Sequence, residues 1–185
     1  MSVPAAISAL TSRSKELASL LEEWANVNSG SNHGAGLARM AGILRAAFSQ
    51  AFPAATFEEL SADAPGYNPP GAKALRFRLR PKAARQVFLC GHYDTVFAAY
   101  DAFQKCRWLE DGTLNGPGVT DMKGGVVTML AALQAFEQTP HAANIGWEVL
   151  LTPDEETGSH GTRAMFEEAA KRNHFGFVFE PARPS

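Results

Sequence analysis

The sequence predicts an α/β fold with a mostly parallel sheet and helices on both of its faces. First, from Gln86 onward, short apolar runs typical of buried strands alternate with segments of helical periodicity. Second, strands joined through helices of this length run parallel in one sheet. Third, the chain has 185 residues, of which 45% are hydrophobic, and this is enough for one sizeable core.

The N-terminal part is predicted to form a helix, a loop and a second helix. Apolar residues recur at helical spacing from Ile7 to Trp24, with charged residues on the opposite side. The segment 28–36 is rich in Gly, Ser and Asn and is therefore a loop. A second apolar stripe runs from Leu37 to Phe48, so we expect a helix that ends before Pro53.

The pattern then changes to a period of two, which is typical of strands. A short strand is predicted at Thr56–Leu60, and a second where apolar Leu75–Leu79 alternates with three arginines on a solvated face. The Pro- and Gly-rich segment 64–71 between them is a loop. The regular part that follows is predicted to contain strand Val87–Cys90, helix Met122–Phe136, strand Trp147–Leu151, helix Thr162–Arg172 and strand Phe175–Phe179.

Composition argues against several classes of protein. A net charge of −2 with scattered basic residues provides no surface for nucleic acid or an anionic membrane. No apolar run reaches membrane-spanning length and the N-terminus does not resemble a signal peptide, so a cytoplasmic protein is expected. Cys90 and Cys106 lack the spacing of a disulfide scaffold or a zinc knuckle, and Cys90 is expected to be a small buried residue.

Acidic side chains and one imidazole follow the predicted strands at the point where each strand ends. They are His92, Asp94, Glu155, Glu156 and Glu180, joined by Asp121 at the start of a helix after a Gly-rich loop. Sites in open parallel sheets form beyond the carboxyl ends of the strands, so these residues are expected to converge. A neutral imidazole and several carboxylates suit Zn²⁺, and the same donors leave Co²⁺ and Mn²⁺ open as alternatives.

The spacing also suggests which of these residues could bind metal, which could orient the imidazole and which could act as a base. Asp94 lies two positions after His92 in an extended segment and can accept the second ring N–H of that imidazole. A carboxylate such as Asp121 can bridge two ions with one oxygen to each. The side chains of adjacent Glu155 and Glu156 diverge in an extended chain, so one can bind metal while the other faces the substrate as a base.

Four segments resemble the ordered motifs of the M20 metallopeptidase family. They are GHYDTV (91–96), NGPGVTDMKGG (115–125), DEETGSHG (154–161) and FEP (179–181). The family includes glutamate carboxypeptidases, acetylornithine and succinyl-diaminopimelate deacylases, and aminoacylases. The residues around Asp121 and Glu155–Glu156 are most similar to the glutamate carboxypeptidase branch.

The resemblance implies a role for each matching residue in metal-assisted hydrolysis. His92 and Glu180 are expected to bind one Zn²⁺ and Asp121 to bridge it to a second. Glu156 is expected to bind that second ion, Asp94 to lie behind His92, and Glu155 to act as the general base. The resemblance also implies a cis peptide bond between Asp121 and Met122.

Members of that family continue beyond the counterpart of Glu180. A smaller domain for dimerisation and closure follows, and then the rest of the catalytic domain with a last zinc-binding histidine. Residues 1–185 are therefore expected to be the N-terminal portion of the di-zinc catalytic domain, without the lid domain and with weak or no turnover alone. The site of His92, Asp121 and Glu180 is expected to fill first, and the full-length protein to be a homodimer.

Three functions remain open at this stage. The first is carboxypeptidase-type release of a C-terminal amino acid such as glutamate, or deacylation of an N-acyl amino acid, so the expected partner is a small peptide or N-acyl amino acid. The second is a truncated, non-catalytic relative that binds metal or a partner. The third is a di-zinc aminopeptidase without a lid.

The residues outside the matching positions are assigned no part in the chemistry. Asp154 is interpreted as a solvated acidic residue. Surface or structural roles are assigned to the four remaining histidines, which are His33, His141, His160 and His174.

Overall fold

The structure is a computed structural model that describes residues 1–182. Its helices are α1 (Val3–Ser12), α2 (Ser14–Ala25), α3 (Gly34–Ala51), α4 (Gly124–Glu137) and α5 (Arg163–Arg172). Its strands are β1 (Thr56–Ser61), β2 (Lys73–Leu79), β3 (Arg85–His92), β4 (Arg107–Trp108), β5 (Leu114–Asn115), β6 (Ile145–Thr152) and β7 (Phe175–Val178). Short helical turns lie at Val119–Lys123, Pro140–Asn144 and Glu155–Thr157.

The central sheet has the strand order β1-β2-β6-β3-β7. Strand β3 is parallel to both β6 and β7, whereas β2 is antiparallel to both β1 and β6. All strands of this sheet except β2 therefore point the same way, which confirms the predicted mostly parallel α/β fold. The register pairs Leu89 with Val149 and His92 with Thr152, so the ends of β3 and β6 lie side by side.

Successive side chains of β3 and β6 point to opposite faces of the sheet and belong to two separate hydrophobic cores. Leu89 and Val149 lie in the large core that the sheet forms with α2, α3 and α4. Phe88 and Leu150 lie in a smaller core on the other face, packed against Phe166 of α5. The continuous apolar runs in the sequence reflect this burial on both sides.

The N-terminal helix predicted from Ile7 to Trp24 is two helices in the structure. They meet at Arg13, whose backbone (φ −96°, ψ 6°) leaves the helical region. The Arg13 guanidinium donates hydrogen bonds to Glu16 and, at 3.0 Å, to Oε1 of Gln134 on α4. The break lets α1 pack along α4, and Ile7 is exposed rather than part of the buried stripe.

Other boundaries differ by a few residues. Helix α4 begins at Gly124 rather than Met122, because a separate helical turn precedes it. The hairpin of β4 and β5 was not predicted, since two-residue strands create no periodicity. Strand β7 ends one residue before the predicted Phe179, at the sheet edge. Cys90 is buried as predicted, and within residues 1–182 no helix combines the length and apolarity needed to cross a bilayer.

Candidate metal centre

The acidic residues and the imidazole selected from the sequence do meet at one edge of the sheet. His92 is the last residue of β3, and Glu180 lies two residues beyond β7. Glu155 and Glu156 begin the helical turn after β6, and Asp121 lies in the turn before α4. The strands that carry these segments are adjacent and parallel, so their carboxyl ends bring the side chains together.

His92 is at the centre of this group. Its side chain is 1% exposed, and its Nε2 lies 3.0 Å from Oδ1 of Asp121 and 3.5 Å from Oε1 of Glu180. One ligand atom from each of these three residues lies within 4.8 Å of the other two. A tetrahedral Zn²⁺ with bonds of about 2.1 Å holds its donor atoms about 3.4 Å apart. The donor types and their separations therefore fit a divalent cation of this size.

The second ring nitrogen of His92 is held by Asp94. His92 Nδ1 lies 3.0 Å from the main-chain oxygen of Asp94 and 3.3 Å from its Oδ1. Both oxygens only accept, so Nδ1 carries a hydrogen. In the neutral ring the lone pair is therefore on Nε2, the atom that faces Asp121 and Glu180 and that would bind a metal. The sequence suggested the carboxylate as the partner; in the structure the main-chain carbonyl is the closer of the two.

Asp94 also organises the segment that carries the two glutamates. Its fully buried carboxylate accepts the backbone N–H of Glu155 at 3.1 Å and that of Glu156 at 3.2 Å. The hydroxyl of Ser31 donates to the same carboxylate at 2.8 Å. Asp94, through its main-chain carbonyl and its carboxylate together, therefore fixes the orientation of the imidazole and the position of both glutamates relative to it. No local pattern in the sequence indicates this role for Ser31, which lies 63 residues from Asp94.

Glu155 and Glu156 point into different cavities. Glu155 lines a mainly apolar cavity together with His92, Glu180 and residues of α5 and β7, and its Oε2 lies 3.8 Å from His92 Nε2. Glu156 lines a second cavity with Thr95 and neighbouring loop residues. Among the described residues Glu156 stands outside the group within 4.8 Å. The adjacent carboxylates can therefore take different roles.

The electrostatics of the cluster favour a cation. Burial lowers the pKa of His92, but the hydrogen bond and charge of Asp94 and the charges of nearby glutamates raise it more, to about 9. Burial raises the pKa of Glu156, and the negative charge of Asp121 raises it further. The pKa of Glu180 is also raised, first by burial. Carboxylates crowded around one imidazole repel one another, and a bound divalent cation would offset that repulsion.

The turn that carries Asp121 is irregular and closely packed. The Asp121–Met122 peptide bond is cis, as the family resemblance implied. Met122 is buried, and its sulfur accepts the backbone N–H of His92 at 3.1 Å. Lys123 is buried as well, and its Nζ donates to the main-chain oxygens of Val27 at 2.7 Å and Trp24 at 3.3 Å. Burial lowers the pKa of Lys123 to about 8. No local pattern in the sequence indicates that this lysine is buried.

The interpretation of Asp154 as a solvated residue was wrong. Asp154 is 1% exposed, and its carboxylate accepts from the Thr162 hydroxyl at 2.6 Å, the Gly161 N–H at 2.8 Å and the Asn68 amide at 3.1 Å. These bonds close the turn between β6 and α5. Asp154 is buried because these three donors replace water around its carboxylate.

Three of the remaining histidines have an exposure or contacts that suit surface or structural roles. His141 is exposed. His174 Nδ1 accepts the backbone N–H of Gln86 at 3.2 Å. The ring of His160 lies against that of Tyr67, with centroids 3.7 Å apart. His33 borders the same cavity as Glu156.

Sequence comparisons relate the chain to known hydrolases. The sequence model of peptidase family M20/M25/M40 matches residues 88–185. Carboxypeptidase G2 from Pseudomonas sp. (strain RS-16) is 26% identical over 161 residues, which cover 87% of this chain and 37% of that enzyme. A succinyl-diaminopimelate desuccinylase from Helicobacter hepaticus (strain ATCC 51449 / 3B1) is 32% identical over 126 residues, which cover 60% of this chain and 32% of that enzyme.

Solved structures share the fold at low identity. Human carnosine dipeptidase 1 superposes with a TM-score of 0.77 at 18% identity, covering 96% of this chain and 41% of that one. The Legionella pneumophila LapA aminopeptidase superposes with a TM-score of 0.68 at 16% identity, covering 95% of this chain and 44% of that one. At these identities the similarity concerns the fold alone. The chain spans less than half the length of each of these proteins.

Proposed function

The chain belongs to peptidase family M20/M25/M40, and on this premise we propose that the whole protein is a metal-dependent hydrolase of peptide or amide bonds. Its substrates are small peptides that lose a C-terminal amino acid such as glutamate, or N-acyl amino acids that lose the acyl group. The similarity to carboxypeptidase G2 supports the first substrate class, and the similarity to succinyl-diaminopimelate desuccinylases supports the second.

The observation that carries this proposal is the meeting of His92, Asp121 and Glu180. Their donor atoms come from three separate segments of the chain and lie within 4.8 Å of one another. Glu155 lies beside them without being part of this group, as a base must if it is to act on a water at the metal. An isolated structural histidine would have no need of a base or of a second carboxylate on its Nε2 side.

We assign one Zn²⁺ to His92, Asp121 and Glu180, and a second to Asp121 and Glu156 with a further ligand from outside residues 1–185. When bound, such ions supply Lewis acidity, which lowers the pKa of a water and polarises a carbonyl. Co²⁺ and Mn²⁺ are alternatives at the same donors.

The residues of this chain would then move the proton. Glu155 accepts a proton from the attacking water and returns it to the departing nitrogen, so the carboxylate is regenerated in each turnover. Asp94 holds the backbone of Glu155 and keeps the hydrogen of His92 on Nδ1. This division of roles uses the observed divergence of Glu155 and Glu156.

Glu155→Gln tests this assignment in the whole protein loaded with zinc. We expect kcat to fall by at least about 10²-fold, because the amide cannot accept the proton, while the zinc content stays the same. Glu110→Gln, in an exposed turn, is the matched control and should change neither quantity. Retained hydrolysis of N-acyl amino acids and peptides with C-terminal glutamate by Glu155→Gln would remove Glu155 from the role of base.

The two alternative functions have less support. The family match favours an M20-type enzyme over an aminopeptidase without a lid, since the likeness to LapA concerns the fold alone. A non-catalytic relative would not need Glu155 beside His92. A cytoplasmic location and a homodimer of the whole protein remain predictions.

A further inference from the structure

A cavity of about 450 Å³ is lined by Glu156 but not by Glu155. Two loops form it, one with Ser31 and His33 and the other running from Thr95 to Tyr100. Val96 is 66% exposed and Tyr100 is 93% exposed at its rim. Large apolar side chains exposed beside polar groups in a concave surface are typical of a ligand-binding site.

Asn28 connects the two loops through hydrogen bonds, and its partners determine the orientation of its side-chain amide. Its Nδ2 lies 3.1 Å from the main-chain oxygen of Phe97, 3.3 Å from that of Ala98 and 2.9 Å from Oε1 of Gln104. All three partners are acceptors, so this end of the amide is the donor. The opposite end, Oδ1, accepts the backbone N–H of Gly30 at 3.0 Å.

The orientation of Asn28 determines where His33 carries its hydrogen. His33 Nδ1 lies 3.0 Å from Asn28 Oδ1, which only accepts, so Nδ1 is the protonated nitrogen. The ring is also held against α3, where a Cβ added to Gly36 would lie 2.5 Å from Nδ1. Within residues 1–182, His33 Nε2 makes no hydrogen bond to the protein. In the neutral ring this nitrogen is an acceptor at the wall of the cavity.

The chemistry proposed for Glu155 indicates which part of a substrate reaches this cavity. Glu155 returns a proton to the departing nitrogen, so that nitrogen must come within reach of Glu155, and the departing residue is assigned to the cavity that Glu155 lines. Glu156 faces the other way, into the cavity with His33. The residue that contributes the scissile carbonyl, the acyl-side residue, is therefore the one directed toward His33.

We propose that this cavity is a specificity pocket for the acyl-side residue, and that His33 Nε2 accepts a hydrogen bond from a hydroxyl or amide group on its side chain. The proposal rests on the hydrolytic function argued above. It assigns peptides with Thr, Ser, Asn or Gln before the scissile bond as the preferred substrate class. The apolar rim around Val96 and Tyr100 accommodates the carbon atoms of such a side chain.

The test uses the whole, zinc-loaded protein and two peptides that differ only in having Thr or Val before the scissile bond. A site built around a hydrogen bond discriminates against the isostere that lacks it, so wild type should prefer Thr by about tenfold or more in kcat/KM. His33→Phe should reduce the preference to within about twofold through loss of activity on the Thr peptide alone. His141→Phe, at an exposed position, should keep the wild-type preference.

A second variant tests the place of the pocket without touching the buried network. Val96→Trp narrows the cavity mouth from an exposed position, so it should raise KM for the Thr peptide and leave a peptide with Gly before the scissile bond unchanged. Equal rates on Thr and Val peptides, or a preference retained by His33→Phe, would overturn the pocket alone. Failure of wild type to cleave any of these peptides would overturn the proposed function, and the pocket with it.

Discussion

Asp94 shows how a residue outside the predicted metal ligands can determine the shape of the centre. Its carboxylate faces Nδ1 of His92 on one side and the backbone N–H groups of Glu155 and Glu156 on the other. The Ser31 hydroxyl donates a further hydrogen bond to it. A buried carboxylate with several donors is well stabilised, and the groups that surround it are fixed relative to one another.

Asp94→Asn tests this positioning role. An amide nitrogen cannot accept from the glutamate backbone, so one N–H group should lose its partner and the segment should shift. We expect the affinity for zinc in the whole protein to fall by about 10- to 100-fold, as measured by competition with a chelator. Asp111→Asn, in the exposed turn between β4 and β5, should leave the affinity unchanged. An affinity equal to wild type in Asp94→Asn would show that Asp94 does not position the ligands.

At the scale of elements, close packing of α4 against the end of β7 positions Glu180. Gly125, in the first turn of α4, lies against the backbone of Phe179, and a Cβ added there would lie 2.0 Å from the main-chain oxygen of Phe179. Backbone cannot move aside as a flexible side chain can. The absence of a side chain at Gly125 therefore determines where the next residue, Glu180, lies relative to His92.

Gly125→Ala should displace Glu180 from the other candidate ligands. The clash with Phe179 forces a backbone shift, and we expect zinc to bind the whole protein at least about tenfold more weakly. Gly42→Ala in α3 is the matched control, because a Cβ at Gly42 meets no atom within 4 Å. That change should leave zinc binding intact and stabilise the fold by about 0.5–1 kcal/mol, measured by urea unfolding. Equal zinc affinity in both variants would contradict the proposed role of Gly125.

At the scale of the whole molecule, the buried strands and the parallel sheet could be predicted because they depend on local patterns in the sequence. The strands around Leu89 and Val149 were identified because burial on both faces produces continuous apolar runs. The convergence of His92 and Glu180 followed from the parallel arrangement of the strands that they follow. The cis bond after Asp121 came from the family resemblance rather than from any local pattern.

Features that depend on distant partners were not predicted. Asp154 is buried because Asn68 and Thr162 meet its carboxylate, and nothing next to it in the sequence reveals Asn68. Lys123 donates to the carbonyl groups of Trp24 at the end of α2 and of Val27 just beyond it, 99 and 96 residues away. At the break between α1 and α2, the Arg13 side chain likewise contacts a distant partner, Gln134 of α4. Such contacts become visible only when the elements are packed together.

Anomalous diffraction at the zinc edge from crystals of the whole protein grown with zinc would locate the ions relative to the proposed ligands. We predict one anomalous peak among Nε2 of His92 and the carboxylates of Asp121 and Glu180, and a second between Asp121 and Glu156, with Glu155 bound to neither ion. Zinc peaks only at other residues, or Glu155 as a ligand in place of Glu156, would rule out this assignment of ligands and base.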